Sequence, residues 1–432
     1  MIRIAVVALT PRLEYAADFI FRKVLKSEYS LESPDDINPA DGPVLHYRTD
    51  PEGQSAEVEA VGICGETGLP AQQPVPVNFG GMPVIYPALA PDSFPFDIFS
   101  AVFFCLSRAE EHLTTDRDKH GRFEAASSIF APWIEQPFVD KWIFFFGKWL
   151  VERGLLTSLP VPECRWINSV DIDIAYAFKG RGAVRTAGAV IRDLLQLRLR
   201  RTALRVAVLA GKREDPFDSY GLIEAAGEVA DQNICFVLCG ERGGHDINLD
   251  PGRPVMGRLI RGLSGFSEVG IHPSYAAHHN PARIKGEIAK LAAVTGESPR
   301  ASRFHFLLPP PPASLRILVE SGIERDYSMG FADAVGFRSG TAHSHAYFDL
   351  EKNEVLPIEL VPLHAMDSAL KNYMYLSPEL ALERIKLLYI NMLGTGGDFV
   401  TVWHNHSLSE SEGWEGWRKV YTGFAEYVRQ KV

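Results

Sequence analysis

The chain has 432 residues, 46% of them hydrophobic and 23% charged, with a formal charge of −10. This is ordinary globular composition with apolar material for one large core and a smaller one, on a length that suits two or three domains. The acidic balance argues against nucleic acid as a partner, and no apolar run approaches the roughly 20 residues of a membrane span, so stable membrane insertion is not expected.

The opening stretch MIRIAVVALTPRLEY reads as a first β-strand rather than a secretory leader: its apolar run is short and no small-residue cleavage site follows. GPVLHYR and EVEAVGICG read as further strands. FDIFSAVFFCLSRAEEHL and FVDKWIFFFGKWLVERG carry apolar residues at helical spacing, the second ending on a glycine stop. The proline-bearing SLPVPEC then marks a boundary, giving a smaller α/β domain of unknown role over residues 1–160 and a second domain over 161–432.

In the second domain strand and helix alternate. RWINSVDIDI, NICFVLCG, SEVGIHPS, SRFHFLL and FVTVWHNH read as strands, with helices PARIKGEIAKLAAVTG and PELALERIKLLYINMLG between them. Such β–α repeats favour a parallel sheet, open or closed into a barrel, with chemistry gathered at the carboxyl ends of the strands. The one basic stretch, IRDLLQLRLRRTALRVAVLAGKR, presents Arg192, Arg198, Arg200, Arg201 and Arg205. It reads as a solvated helix face with its leucines turned to the core, in preference to a surface for an anionic membrane or polysaccharide. The five cysteines form no zinc-knuckle spacing and read as buried free thiols; with a reducing compartment implied, cytoplasmic is the expected location.

Six strand-end acids and histidines carry the candidate chemistry. Asp171 and Asp173 stand at i and i+2, so on a strand they share a face. Two close carboxylates repel unless a cation neutralises them, and a divalent metal on one leaves the other free as a base. A capped or hydrogen-bonded acid pair is the plain alternative, and a D-x-D glycosyltransferase motif a third; the latter lacks a convincing phosphate loop. Histidines then close other strands: His272, His305 (alternating with Arg303) and His404 with His406. Neutral imidazole suits zinc and similar ions and also serves acid–base catalysis.

In order, SVDID, GIHPS, RFHFL, DYSMGFADAVGFRSGT and VWHNH resemble the motifs of the polysaccharide deacetylases of carbohydrate esterase family 4, the NodB-homology group. The resemblance covers about residues 163–432, and FSAVFFCLSRAEEHLTTDRDKHGRFEA looks like the small N-terminal domain of a bacterial subgroup. It implies a distorted (β/α) barrel and a hydrolase that removes acetyl groups from an N-acetylated saccharide or polysaccharide. Position by position, it makes Asp171 the general base, Asp173 a metal ligand, His272 the first histidine ligand, Arg303 the arginine that steadies the acid, and His404 the general acid. The usual second histidine position holds Ala276; His305 is the preferred substitute, with His278 and His279 as alternatives. Asp326 and Arg338, the latter in FRSGT, resemble the fourth motif near substrate, and Tyr275 and Trp403 are candidate sugar contacts among the aromatics. The metal implied is zinc first, with nickel, cobalt or iron also suited to an Asp-His-His set. Because of Ala276, a catalytically silent carbohydrate-binding or assembly protein is the second reading. Oligomeric state is left open.

Overall fold

The computed structural model describes residues 1–38, 40, 42–53 and 56–431. Val432, the last residue of the expected second domain, lies outside them. The chain is a mixed α/β protein that divides into two compact units. One comprises residues 1–165, 329–364 and 388–399; the other comprises 166–328, 365–387 and 400–432. No helix among the described residues is long and apolar enough to cross a membrane.

In the first unit the parallel strands Ile2–Val6, Tyr29–Glu32, Val44–Arg48 and Glu57–Glu59 form one sheet, with Tyr29–Glu32 at its edge beside Ile2–Val6. The helix Ile98–Leu106 is buried on every side, and Asp97 caps it by accepting from the Ser100 amide. The same carboxylate also accepts from Tyr47 Oη and the amides of Val61 and Gly62, so a buried charge is fully bonded. Helix Phe138–Glu152 adds Trp142, Phe146 and Leu150 to an aromatic-rich core. Strands His345–Asp349 and Glu354–Leu360 form an antiparallel hairpin with an irregular register between Ala346 and Tyr347.

The second unit holds, wholly or for most of their length, the strands β1 (Cys164–Ile172, in this unit from Trp166), β2 (Gln232–Leu238), β3 (Glu268–His272), β4 (Ala301–Ser302), β5 (Arg325–Asp326), β6 (Ala365–Met366) and β7 (Gly397–His404, in this unit from Val400). Their order is β5-β4-β3-β2-β1-β7-β6. Pairs β1–β2, β2–β3, β3–β4, β4–β5 and β6–β7 are parallel. From Trp166 to Ile172 every residue of β1 is buried, as befits a central strand covered on both faces. The register sets Leu238 against His272 and Ile271 against Ser302, so the carboxyl ends of β2, β3 and β4 lie level. Loops leaving these ends converge on one place.

Two expectations need correction. Of SRFHFLL only Ser302 is in a strand, Ala301–Ser302; His305–Leu307 is a 3-10 turn in which Phe306 and Leu307 take left-handed backbone, at φ 62° and 54°. The basic stretch forms two helices, α1 (Ala183–Leu195) and α2 (Leu199–Leu209), and of its leucines Leu204 packs against a small core cluster while Leu195, Leu197 and Leu199 are exposed. The buried residue of α1 is Asp193, held by Arg205 of α2 at 2.6 Å.

Candidate metal and acid–base site

Asp173, His272 and His305 come together in the second unit, each offering a ligand atom within 4.8 Å of the others. His272 Nε2 lies 3.2 Å from Asp173 Oδ1, and His305 Nε2 lies 3.6 Å from Asp173 Oδ2. The opposite ring nitrogen of each histidine is engaged: His272 Nδ1 bonds the Arg303 carbonyl, and His305 Nδ1 lies 2.8 Å from Asp246 Oδ1. Donation from Nδ1 fixes the tautomer that leaves Nε2 as a lone-pair donor, the arrangement a metal-binding imidazole needs. Asp173 Oδ1 is buried without a hydrogen-bond partner among the described residues, although His272 Nε2 is near. A carboxylate oxygen left unsatisfied between two oriented imidazoles fits a divalent cation.

Asp171 sits beside this cluster. Its Oδ2 is 3.9 Å from His272 Nε2, while its Oδ1 accepts from Arg303 Nη1 at 2.8 Å. The Arg303 guanidinium is fully buried and consumed by partners: Nη2 donates to Ser169 Oγ at 2.8 Å, Nε to the Tyr327 carbonyl at 3.2 Å, and the group lies over the Phe236 ring at 4.4 Å. Three fixed donors leave it no freedom to move, so it holds Asp171 in one orientation.

His404 approaches from β7. Its Nε2 is 3.6 Å from Asp173 Oδ2, and its Nδ1 is 2.8 Å from Asp367 Oδ1, whose other oxygen accepts the His404 amide. Burial would depress the His404 ring, but the Asp367 and Asp173 carboxylates outweigh it and push its pKa up to about 10. Burial would likewise raise the Asp173 carboxyl, yet His305, His272 and His404 hold it well below the usual carboxylate range. His406 is a different case: burial and His404 push it down to about 4, and its ring packs on Phe217 and Trp414.

The other residues singled out from sequence are not among these three candidate ligands. Ala276 stands on the short helix Tyr275–His279, whose His278 ring packs on Phe304 and His279 ring on Tyr275. Tyr275 and Phe306 are partly buried, with ring centroids 5.3 Å apart, and His245 packs on both, at 4.1 and 5.3 Å. Asp326 is fully buried and bonded to Ser302 and Ser328, so it has no face for a substrate. Trp403 is buried against Tyr421. Arg338 belongs to the first unit, where the Gly330 carbonyl and the Glu111 carboxylate hold it. Sequence reasoning missed Asp246, Asp367 and Ser169. The two acids stand 59 and 37 residues from the histidines they orient, and no local spacing marks them.

Residues 2–155 match the model of a family of unknown function, DUF7033. No curated protein matches the chain. Among solved structures, the chain is similar to one described as "putative polysaccharide deacetylase from Mycobacterium smegmatis", at 15% identity and TM-score 0.38, over 63% of this chain and 93% of that one. It is similar to the allantoinase PuuE at 12% identity and TM-score 0.38, over 61% and 84%. It is also similar to a "putative glycoside hydrolase/deacetylase" from Parabacteroides distasonis at 10% identity and TM-score 0.39, over 63% and 69%. At such low identity and TM-score, the chemistry has to be read from the side chains.

Proposed function

We propose that this protein is a divalent-metal-dependent hydrolase that removes acetyl groups from an N-acetylated saccharide, on a distorted (β/α) barrel that begins near residue 161. The observation that carries the reading is the cluster of Asp173, His272 and His305, with both imidazoles presenting Nε2 and a second acid, Asp171, beside them. The saccharide rests on the order of the sequence motifs; the hydrolysis rests on the geometry.

Asp173, His272 and His305 would hold the ion, zinc in first place. A divalent ion there supplies Lewis acidity toward a carbonyl oxygen and a water. Asp171 is the base: Arg303 occupies Oδ1 and leaves Oδ2 turned toward the cluster to take the proton of the attacking water. His404 is the acid. Asp367 orients its ring and keeps it charged, so Nε2 delivers a proton to the departing nitrogen, which cannot leave as an amide anion. Tyr275 and Phe306 offer aromatic faces for a sugar ring.

The test is elemental analysis of the purified full chain and of Asp173→Ala, His272→Ala and His305→Ala, alongside acetate release from N-acetylated oligosaccharides. About one metal per chain, lost in all three variants, and metal-dependent acetate release are expected. Metal held equally by the variants, or none bound after reconstitution with zinc, nickel or cobalt, refutes the site. Metal without acetate from any acetylated sugar refutes the substrate.

A further inference from the structure

Helices α1 and α2 are amphipathic the wrong way round for a soluble hairpin. A surface helix ordinarily turns its apolar stripe to the core and its charges to water. Here the inner contact of α1 is Asp193, clamped by Arg205, whose guanidinium also lies over Phe178 at 4.6 Å. A small cluster of Ala177, Phe178, Val208 and Phe217 anchors the base. Val208 and the partly buried Leu204 of α2 face this cluster, but the larger part of the apolar side chains points out: Val184 is 88% exposed, Leu195 81%, Leu197 82% and Leu199 61%, with Ile191 and Val206 also exposed. Val184, Ile191 and Leu195 fall at i, i+7 and i+11, one stripe along α1; Leu199 and Val206 fall at i and i+7, one stripe along α2. Exposed apolar stripes of this kind mark an interaction surface.

Charge names the partner. Residues 181–213 carry nine Lys and Arg against one acid, the buried Asp193, in a chain that is −10 overall. Arg185, Arg192, Arg198 and Arg200 stand exposed among the leucines. Large aliphatic side chains interleaved with cations on one hairpin match the interface of an anionic bilayer, where the apolar groups enter the headgroup boundary and the cations meet lipid phosphates. We propose that the α1–α2 hairpin docks this protein peripherally on an anionic membrane surface.

The experiment is sedimentation of the full chain with vesicles of phosphatidylcholine alone or with about one-quarter phosphatidylglycerol. It is repeated for Leu195→Ser/Leu197→Ser/Leu199→Ser and for Arg192→Glu/Arg198→Glu/Arg200→Glu, with circular dichroism as the check on folding; all six positions are exposed, so both variants are expected to fold. Wild type should pellet with the anionic vesicles and be released by salt, and each triple variant should bind at least about tenfold more weakly. No pelleting of wild type overturns the proposal. So does full vesicle binding by the serine variant, which reduces the surface to a general polyanion site. A concentration-dependent dimer, abolished by the serine variant and indifferent to lipid, assigns the face to a second copy and also overturns it.

Discussion

The Arg303–Asp171 pair gives the sharpest test of how the site is built. Nη1 and Oδ1 are 2.8 Å apart with both side chains buried, so the gross attraction at an effective dielectric of about 20 is about 6 kcal/mol. Desolvation offsets much of this, and removing one partner of such a pair costs about 3–5 kcal/mol because the other is left buried and charged. Arg303→Met strands the Asp171 carboxylate. Asp171→Asn strands a guanidinium that keeps Ser169 and the Tyr327 carbonyl. The double variant strands neither, so it should be more stable than the sum of the singles predicts, by at least about 2 kcal/mol. Urea unfolding in the presence of a chelator measures this without interference from bound metal. Trp166, fully buried in β1, supplies a fluorescence signal within the unit that contains the pair. Additivity to within about 0.5 kcal/mol would refute the claim that Arg303 is there to hold Asp171. Arg303→Lys should rescue poorly, because one ammonium cannot reproduce the planar fork that reaches Asp171 and Ser169 together.

Three further outcomes are expected, two at the same site and one in the first unit. Asp246→Asn removes the charge behind His305 and should weaken metal binding about 10–100-fold in a chelator competition while leaving the fold intact. Asp367→Asn removes the group that raises His404; since the acid must be protonated to act, the alkaline limb of the kcat profile should move to lower pH, and an unmoved limb would assign the acid elsewhere. In the first unit, burial pushes the Glu110 carboxyl above its ordinary range, up to about 7, with Ser128 and the Ile129 amide partly opposing. Its folded form prefers the proton, so stability is full below about pH 4.5 and falls by about 3 kcal/mol as pH rises through 7; Glu110→Gln should flatten that slope in thermal unfolding between those values.

What could be read from the residue pattern, and what could not, divides by range. Alternation on an extended chain puts Asp171 with Asp173 and Arg303 with His305, and those pairs need only two or three residues of extended backbone. The backbone is extended through Phe304, at φ −72° and ψ 135°, and turns left-handed at Phe306, so the alternation ends one residue after the histidine. A strand of seven was too long an expectation, but the register that matters had already been set. The hairpin shows the opposite failure. Leucine at helical spacing predicts an apolar stripe and nothing about which way it faces; that was decided by Asp193 and Arg205, twelve residues apart, whose pairing takes the inner side. A default that sends leucines inward has no means of seeing that pair.

The place of Ala276 is the most instructive departure. The sequence motifs call for a histidine there, and its absence alone reads as a lost ligand. In the fold, the amides of Tyr275 and Ala276 donate to Asp246 at 2.9 and 3.3 Å, and the same carboxylate holds His305 Nδ1. The segment that lacks the imidazole therefore still serves the cluster, through its backbone, by fixing the acid that orients an imidazole from β4's exit loop. That acid comes from a third segment, the loop after β2. No one of these three stretches carries the arrangement by itself, and none is marked by spacing, because a carboxylate bridging two loops obeys no period. The pattern of strand ends locates where side chains can meet; which of them complete the set is settled by contacts dozens of residues apart. A substitution in a motif is thus weak evidence for lost chemistry until the side chains that reach the same point from other strands have been counted.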